Sequence, residues 1–139
     1  MTKHFVIDNS VVMSWCFKDE TNKYADAILH RLSEATAFVP LIWPLEVINV
    51  LLAAERKKRL SEADSARFIT LLTQLPIVVE VDHTEKSMKE LLSFARANNL
   101  SSYDASYLDL AMKSGYPMAT SDKKLILAAR KLDVPILSG

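Results

Sequence analysis

Short runs of β-branched and aromatic residues recur at residues 5–7, 37–39, 77–81, 118–120 and 136–137, and the stretches between them carry helical spacing. Strands that alternate with helices predict a parallel sheet covered by helices. Met88, Leu91, Leu92 and Ala95 follow the i, i+3, i+4, i+7 pattern of an amphipathic helix, and Ala66, Phe68, Ile69 and Leu72 follow it less cleanly. Several crossovers have room for two helices. The predicted order is therefore β, α, α, β, α, α, β, α, α, β, α, β. The expected fold class is α/β: one domain over residues 1–139, with a central parallel sheet of four to five strands flanked by helices.

Helix starts are signed locally. Pro44 suits the first helical position, Ser61 with Asp64 and Ser101 with Asp104 have capping-box spacing, and Asp82 precedes Glu85 by three. Residues 45–54 are apolar nearly all round, so that helix is expected to be either central or shared with another subunit. Val11, Val12, Trp15 and Phe17 add apolar surface that one small sheet does not obviously cover. Such an excess marks an interface, and a homodimer is expected. No linker, internal repeat or low-complexity tract interrupts the pattern.

Composition narrows the functional classes. Half of the 139 residues are hydrophobic and 24% are charged, which excludes a disordered or collagen-like chain. Seventeen Lys and Arg balance seventeen Asp and Glu, so no overall field draws the chain to nucleic acid or anionic lipid, and any such partner needs a local patch. The only glycines are Gly115 and Gly139, which removes the Gly-rich dinucleotide loop and the P-loop. Cys16 is alone and can form neither an internal disulfide nor a cysteine-rich zinc site, as suits a reducing cytoplasm. The opening MTKHFVIDNS has too short an apolar run for a signal-peptide core. Residues 35–54 reach spanning length but contain Pro40, Pro44, Glu46 and Asn49, so no membrane span is expected.

Four carboxylates fall where burial is expected. Asp8 ends the first strand on the face it shares with Val6. Glu46 follows Pro44 in a first helical turn, in line with Val50 and Ala53. Asp104 lines up with Leu108 and Ala111, and Asp122 leads from the fourth strand into a face made by Leu125, Ile126 and Ala129. Each has an ordinary explanation: Asp8 or Ser10 as a helix cap, Glu46 as a favourable charge on a helix dipole, Asp104 in a capping box, and Asp122 as an N-cap. Together they point elsewhere. At least three lie where a strand hands over to a helix, and in open parallel sheets those strand ends form one ligand crevice. Converging carboxylates repel and resist desolvation, and a divalent metal relieves both costs. His4, His30 and His83 are scattered away from the acids, so all-oxygen ligation favours Mg²⁺ or Mn²⁺ over Zn²⁺.

D-N-S after the first strand, P-L-E-V-x-N-V-L-L, Y-D-A-x-Y-L-x-L-A and A-T-S-D-K-K-L together resemble the PIN-domain ribonucleases, and most of all the VapC-type toxins of toxin-antitoxin pairs. The resemblance spans essentially the whole chain. It implies that Asp8, Glu46, Asp104 and Asp122 form an acidic quartet, with Ser10 and Thr120 as supporting hydroxyls. Asn9 departs from the pattern, standing where a smaller residue is commoner, and Ser121 precedes the final aspartate. The chemistry expected of such a cluster is hydrolysis of RNA phosphodiesters by a metal-activated water, leaving 5′-phosphate and 3′-hydroxyl ends. Asp8 and Asp104 are expected as direct ligands, Glu46 and Asp122 as holders of waters or a second ion, and Ser10 and Thr120 as orienting groups. The resemblance also implies a cognate VapB-type antitoxin that lays an apolar segment along the toxin and places a basic side chain at the acids.

Lys123 and Lys124 flank Asp122 and are the candidates for steering a phosphate backbone, whereas residues 56–59 read as a solvated basic helix terminus. Trp15, Phe17 and Trp43 are expected in the core, Cys16 as a small core filler, and Asp109 turned away from Asp104. Two rival readings remain at this stage. One is a PIN-like binding module without catalysis; the other is a Mg²⁺-dependent aspartyl phosphatase or receiver, against which Ser10 stands where a second acid is needed.

Overall fold

Phe5, Val6 and Ile7 are all fully buried, although successive strand residues face opposite ways, so the strand they form is covered on both sides. The computed structural model describes residues 2–20, 22–81 and 85–139. Its four parallel strands are β1 (His4–Ile7), β2 (Thr36–Pro40), β3 (Ile77–Glu80) and β4 (Met118–Ala119), in spatial order β3-β2-β1-β4. Phe5 lies opposite Ala37 and Val6 opposite Phe38, while on the other side Val6 meets Met118 and Ile7 meets Ala119. On β3, half-buried Ile77 and Val79 alternate with exposed Val78 and Glu80, the pattern of an edge strand covered on one face. The chain steps from β1 to β2 to β3 in one direction, then returns to put β4 on the far side of β1. The topological switch therefore falls between β1 and β4.

The helices are α1 (Asn9–Ser14), α2 (Lys23–Arg31), α3 (Trp43–Arg56), α4 (Glu62–Thr73), α5 (Glu85–Ala97), α6 (Ser102–Ser114) and α7 (Lys123–Lys131), with a 3-10 turn at Lys18–Glu20. This is the predicted order, two helices in each of the first three crossovers included. Ser61 and Asp64 form a full capping box on α4, and Asn22 caps α2 by accepting from the Ala25 N–H at 2.8 Å. α6 stops at Gly115, whose φ of +71° closes the helix in the left-handed region open to glycine. α6 packs on β1 and β2, and α1 lies against α2 and α3.

Several expectations change. The run at 136–137 is not a strand: it adds one parallel bridge, from Ile136 to Met118, so the sheet has four strands. Pro44 takes the second helical position, because α3 begins at Trp43. Val11, Val12 and Phe17 are not surplus surface: α2 and α3 cover α1, all three are buried, and Trp15 is half-buried with its Nε1 donating to the Ala25 carbonyl at 2.8 Å. Residues 45–54 are not buried all round, since α3 buries Trp43, Val47, Leu51 and Ala54 and leaves Leu45, Ile48 and Leu52 exposed. On α5 the period is right and the phase is not: Leu91, Phe94 and Ala95 face inward, while Met88 and Leu92 are exposed. On α4, Phe68 and Leu72 are buried but Ala66 and Ile69 are not. The spacing of Asp82 and Glu85, and His83, lie outside the described residues. Among the described residues, no helix is long and apolar enough to cross a membrane.

Leu108 is fully buried on α6, while Leu127 on α7 is 66% exposed. Leu108→Ala is expected to lower unfolding free energy by about 2–5 kcal/mol in urea titrations, and Leu127→Ala by no more than about 0.5 kcal/mol. Equal losses would mean that α6 is not the helix that closes the core.

Candidate functional site

Asp8 leaves the sheet at the end of β1, where its N–H donates to the Ala119 carbonyl at 2.9 Å. It occupies the N-cap position of α1, yet its side chain makes no capping bond, and Ser10 does not cap the helix either. Instead Ser10 Oγ donates to Asp8 Oδ2 at 2.6 Å and Thr120 Oγ1 donates to the same oxygen at 3.0 Å. Both hydroxyls are themselves acceptors, Ser10 Oγ from the Ser121 N–H at 3.3 Å and Thr120 Oγ1 from the Asp122 N–H at 3.0 Å. Asp8 is only 6% exposed. Burial pushes its carboxyl above the ordinary range, the hydroxyls of Ser10 and Thr120 and the Ser10 N–H oppose this, and the Asp122 charge adds to the rise.

Glu46 stands half-buried in the first turn of α3, and Asp104 half-buried in the first turn of α6. Ser101 Oγ accepts from the Asp104 N–H at 3.1 Å, but among the described residues no return bond from the Asp104 carboxylate completes a capping box. Its carboxylate is thus left for other work. Burial raises the Asp104 carboxyl, the charges of Asp122 and Asp8 raise it further, and Lys124 opposes them. Glu46 is also raised by burial, with Asp8 and Asp104 adding and a hydrogen bond from Tyr107 opposing. Asp122 does cap α7: Oδ1 accepts from the N–H groups of Lys124 at 2.8 Å and Leu125 at 3.3 Å.

Asp8, Glu46, Asp104 and Asp122 thus share one electrostatic neighbourhood at the switch between β1 and β4, with Ser10 and Thr120 inside it. Lys123 and Lys124 are exposed on the first turn of α7, directly after Asp122. The donor set is hard oxygen throughout, which fits Mg²⁺ or Mn²⁺ in chemistry. As the side chains stand, no three His, Cys, Asp or Glu of the described residues are grouped closely enough to ligate one ion. Asp109 is turned away as expected, paired with Lys113 at 3.1 Å. The basic terminus at 56–59 is not wholly solvated: Arg59 pairs with Asp19 and Glu20 and covers the Phe17 ring at 4.3 Å.

One residue of the site carried no signal in the periodicity reading. Tyr107, 1% exposed on α6, donates its hydroxyl to Glu46 Oε1 at 2.6 Å. It lies three residues after Asp104 and hence on the same helix face, and a buried tyrosine must place its hydroxyl on something. That pair of facts is the signal that could have found it. Burial together with the neighbouring Glu46 carboxylate holds the Tyr107 proton far more tightly than usual.

The PIN domain profile matches residues 5–131 of the chain. The chain belongs to the PIN-domain family. PIN domains are generally nucleases and generally use divalent metal ions. In fold, this PIN domain is similar to PAE2754 from Pyrobaculum aerophilum, with a TM-score of 0.70 and 22% identity over 92% of this chain and 87% of that one. It is also similar to FitAcB from Neisseria gonorrhoeae, with a TM-score of 0.64 and 17% identity over 96% of each chain. The search of curated proteins found no match in sequence.

The raised carboxyls fix a pH dependence. Asp8 and Asp104 ordinarily titrate at 3.8 and Glu46 at 4.5, and the folded PIN domain holds their protons to higher pH than the unfolded chain does. Their contribution to stability is fully present below those ordinary values and is lost as pH rises through the raised ones. Asp8→Asn in EDTA is therefore expected to raise the melting temperature at pH 7 and to confer little of that gain at pH 3. Equal effects at both pH values by circular dichroism would show that charge is not what strains the site.

Proposed function

We propose that this PIN-domain protein, as a nuclease domain over residues 1–139, is a metal-dependent endoribonuclease toxin of the VapC type held inactive by a VapB-type antitoxin. The observation that carries the reading is the buried Asp8, held by Ser10 and Thr120 and raised in company with Glu46 and Asp104. A structural role would favour separating these charges, whereas a cation-binding role favours keeping them together.

Asp8 and Asp104 would ligate Mg²⁺ or Mn²⁺ directly, and Glu46 and Asp122 would hold waters or a second ion. When bound, the ion activates water for attack on phosphorus and neutralises charge on the phosphate oxygens. Ser10 and Thr120 fix the Asp8 carboxylate through one oxygen, so its direction is set before substrate arrives. Lys123 and Lys124 would take adjoining phosphates of the RNA. Cleavage by water gives 5′-phosphate and 3′-hydroxyl ends.

The partner reading rests on apolar surface. Leu45, Ile48 and Leu52 stand exposed along α3, and a concavity of about 390 Å³ runs between Trp43, Val47, Ile48, Ile69 and Leu72. These faces support a homodimer contact and docking of an antitoxin's apolar segment in the cytoplasm. An arginine or lysine of that antitoxin would meet the carboxylates in a charge-assisted contact and compete with metal.

Wild type is expected to cleave RNA with Mn²⁺ or Mg²⁺ and to stop in EDTA, while co-purified antitoxin silences it. Glu46→Gln and Asp122→Asn should each lower cleavage at least about tenfold while staying folded. Asparagine at 122 keeps an oxygen for the Lys124 and Leu125 N–H groups, so its loss of activity is not a lost cap. Undiminished cleavage in both variants, or metal-independent cleavage, would falsify the assignment; an inert but metal-binding protein would leave a PIN-like binding module instead.

A further inference from the structure

We infer that Tyr107 is the positioning residue for Glu46, holding that carboxylate inside the acidic site and committing its Oε1 so that Oε2 stays available to a metal ion or its waters; the inference rests on the nuclease reading above. Glu46 is half-buried, on a flexible side chain at the start of α3, and the charges of Asp8 and Asp104 repel it. Water is within its reach. With nothing to restrain it, repulsion and rotamer freedom would both swing the carboxylate outward, and the quartet would become a trio.

The restraint is the Tyr107 hydroxyl, which donates to Oε1 at 2.6 Å, within the short range of O–H···O⁻ bonds. Tyr107 cannot follow Glu46 outward, because its ring is 1% exposed in the core where α6 packs on β1 and β2. A rigid, buried donor thus holds a mobile, half-exposed acceptor. No hydrogen bond from a described residue reaches Oε2, so the tether fixes one oxygen and leaves the other available. Because α6 also carries Asp104 three residues earlier, one helix sets the positions of two carboxylates, one directly and one through its tyrosine. Ser10 and Thr120 treat Asp8 in the same way, both on a single oxygen.

Tyr107→Phe keeps the ring and removes the donor. Partners of this kind typically affect metal affinity or activity about 10–100-fold, and that is the loss expected in Mn²⁺ affinity by calorimetry and in kcat for RNA cleavage, with KM for RNA unchanged. In protein labelled with ¹³C-glutamate, the Glu46 carboxyl resonance, assigned by its absence in Glu46→Gln, should move to the position of solvent-exposed glutamates. The double variant Tyr107→Phe/Glu46→Gln should be no worse than Glu46→Gln alone, since both remove one function. Wild-type Mn²⁺ affinity and kcat in folded Tyr107→Phe would overturn the inference and leave the nuclease reading standing. Failure of the wild type itself to bind Mn²⁺ or cleave RNA would overturn that reading, and the positioning role with it.

Discussion

A carboxyl group buried at the end of a central β-strand is the constraint around which this PIN domain is organised. Leaving Asp8 buried without partners would cost several kcal/mol. Two hydroxyls prevent that, and each has a second bond to backbone in the segment that leads into α7. For Thr120 to reach Asp8, β4 must pair with β1 in the register that sets Ile7 against Ala119. For Ser121 and Asp122 to donate back, the chain must turn immediately into the helix. One buried carboxyl group thereby ties together a strand register, a loop and a helix start that local propensities alone leave loose.

The same network separates what the sequence makes legible from what it does not. The strands are legible because Phe5, Val6 and Ile7 or Ala37, Phe38 and Val39 form apolar runs too short for helices, whereas their spatial order, β3-β2-β1-β4, is not, since alternation with helices says only that the sheet is parallel. The phase of each helix is less legible. Met88 and Leu92 satisfy the helical period as well as Leu91 and Ala95 do, and only the position of α6 beside α5 decides which pair is covered. Val11, Val12 and Phe17 look like surplus because a count of apolar residues does not say that α2 and α3 close over α1. The contact made by Tyr107 is hidden for a related reason: it stands in the Y-D-A-x-Y-L-x-L-A motif, but a periodicity scan counts its ring as apolar and ignores the hydroxyl, which is the part that bonds to Glu46.

Charge shows a similar gap between sum and arrangement. A formal charge of zero suggests no pull on a polyanion, yet the cations are distributed unequally. Arg59 is committed to Asp19, Glu20 and the Phe17 ring, and Lys113 to Asp109 and Glu90, so neither adds a free charge at the crevice. Lys124 lies close enough to Asp104 to oppose the rise in its carboxyl. The acids at the strand ends thus have Lys124 beside them, a local arrangement that whole-chain arithmetic erases.

Capping and site chemistry are not rival explanations of the same residue. A carboxylate has two oxygens, and a cap uses one: Asp122 receives two N–H groups of α7 on Oδ1 alone, and its charge still acts on both Asp8 and Asp104. The cap fixes where the carboxylate stands, and that rigidity is what a site needs from an acid on a helix start. Asp8 shows the converse, a residue in the cap position whose hydrogen bonds go to Ser10 and Thr120 instead. Where strand ends meet helix starts, a capping bond is therefore no argument against a site role, because the cap also fixes where the carboxylate stands.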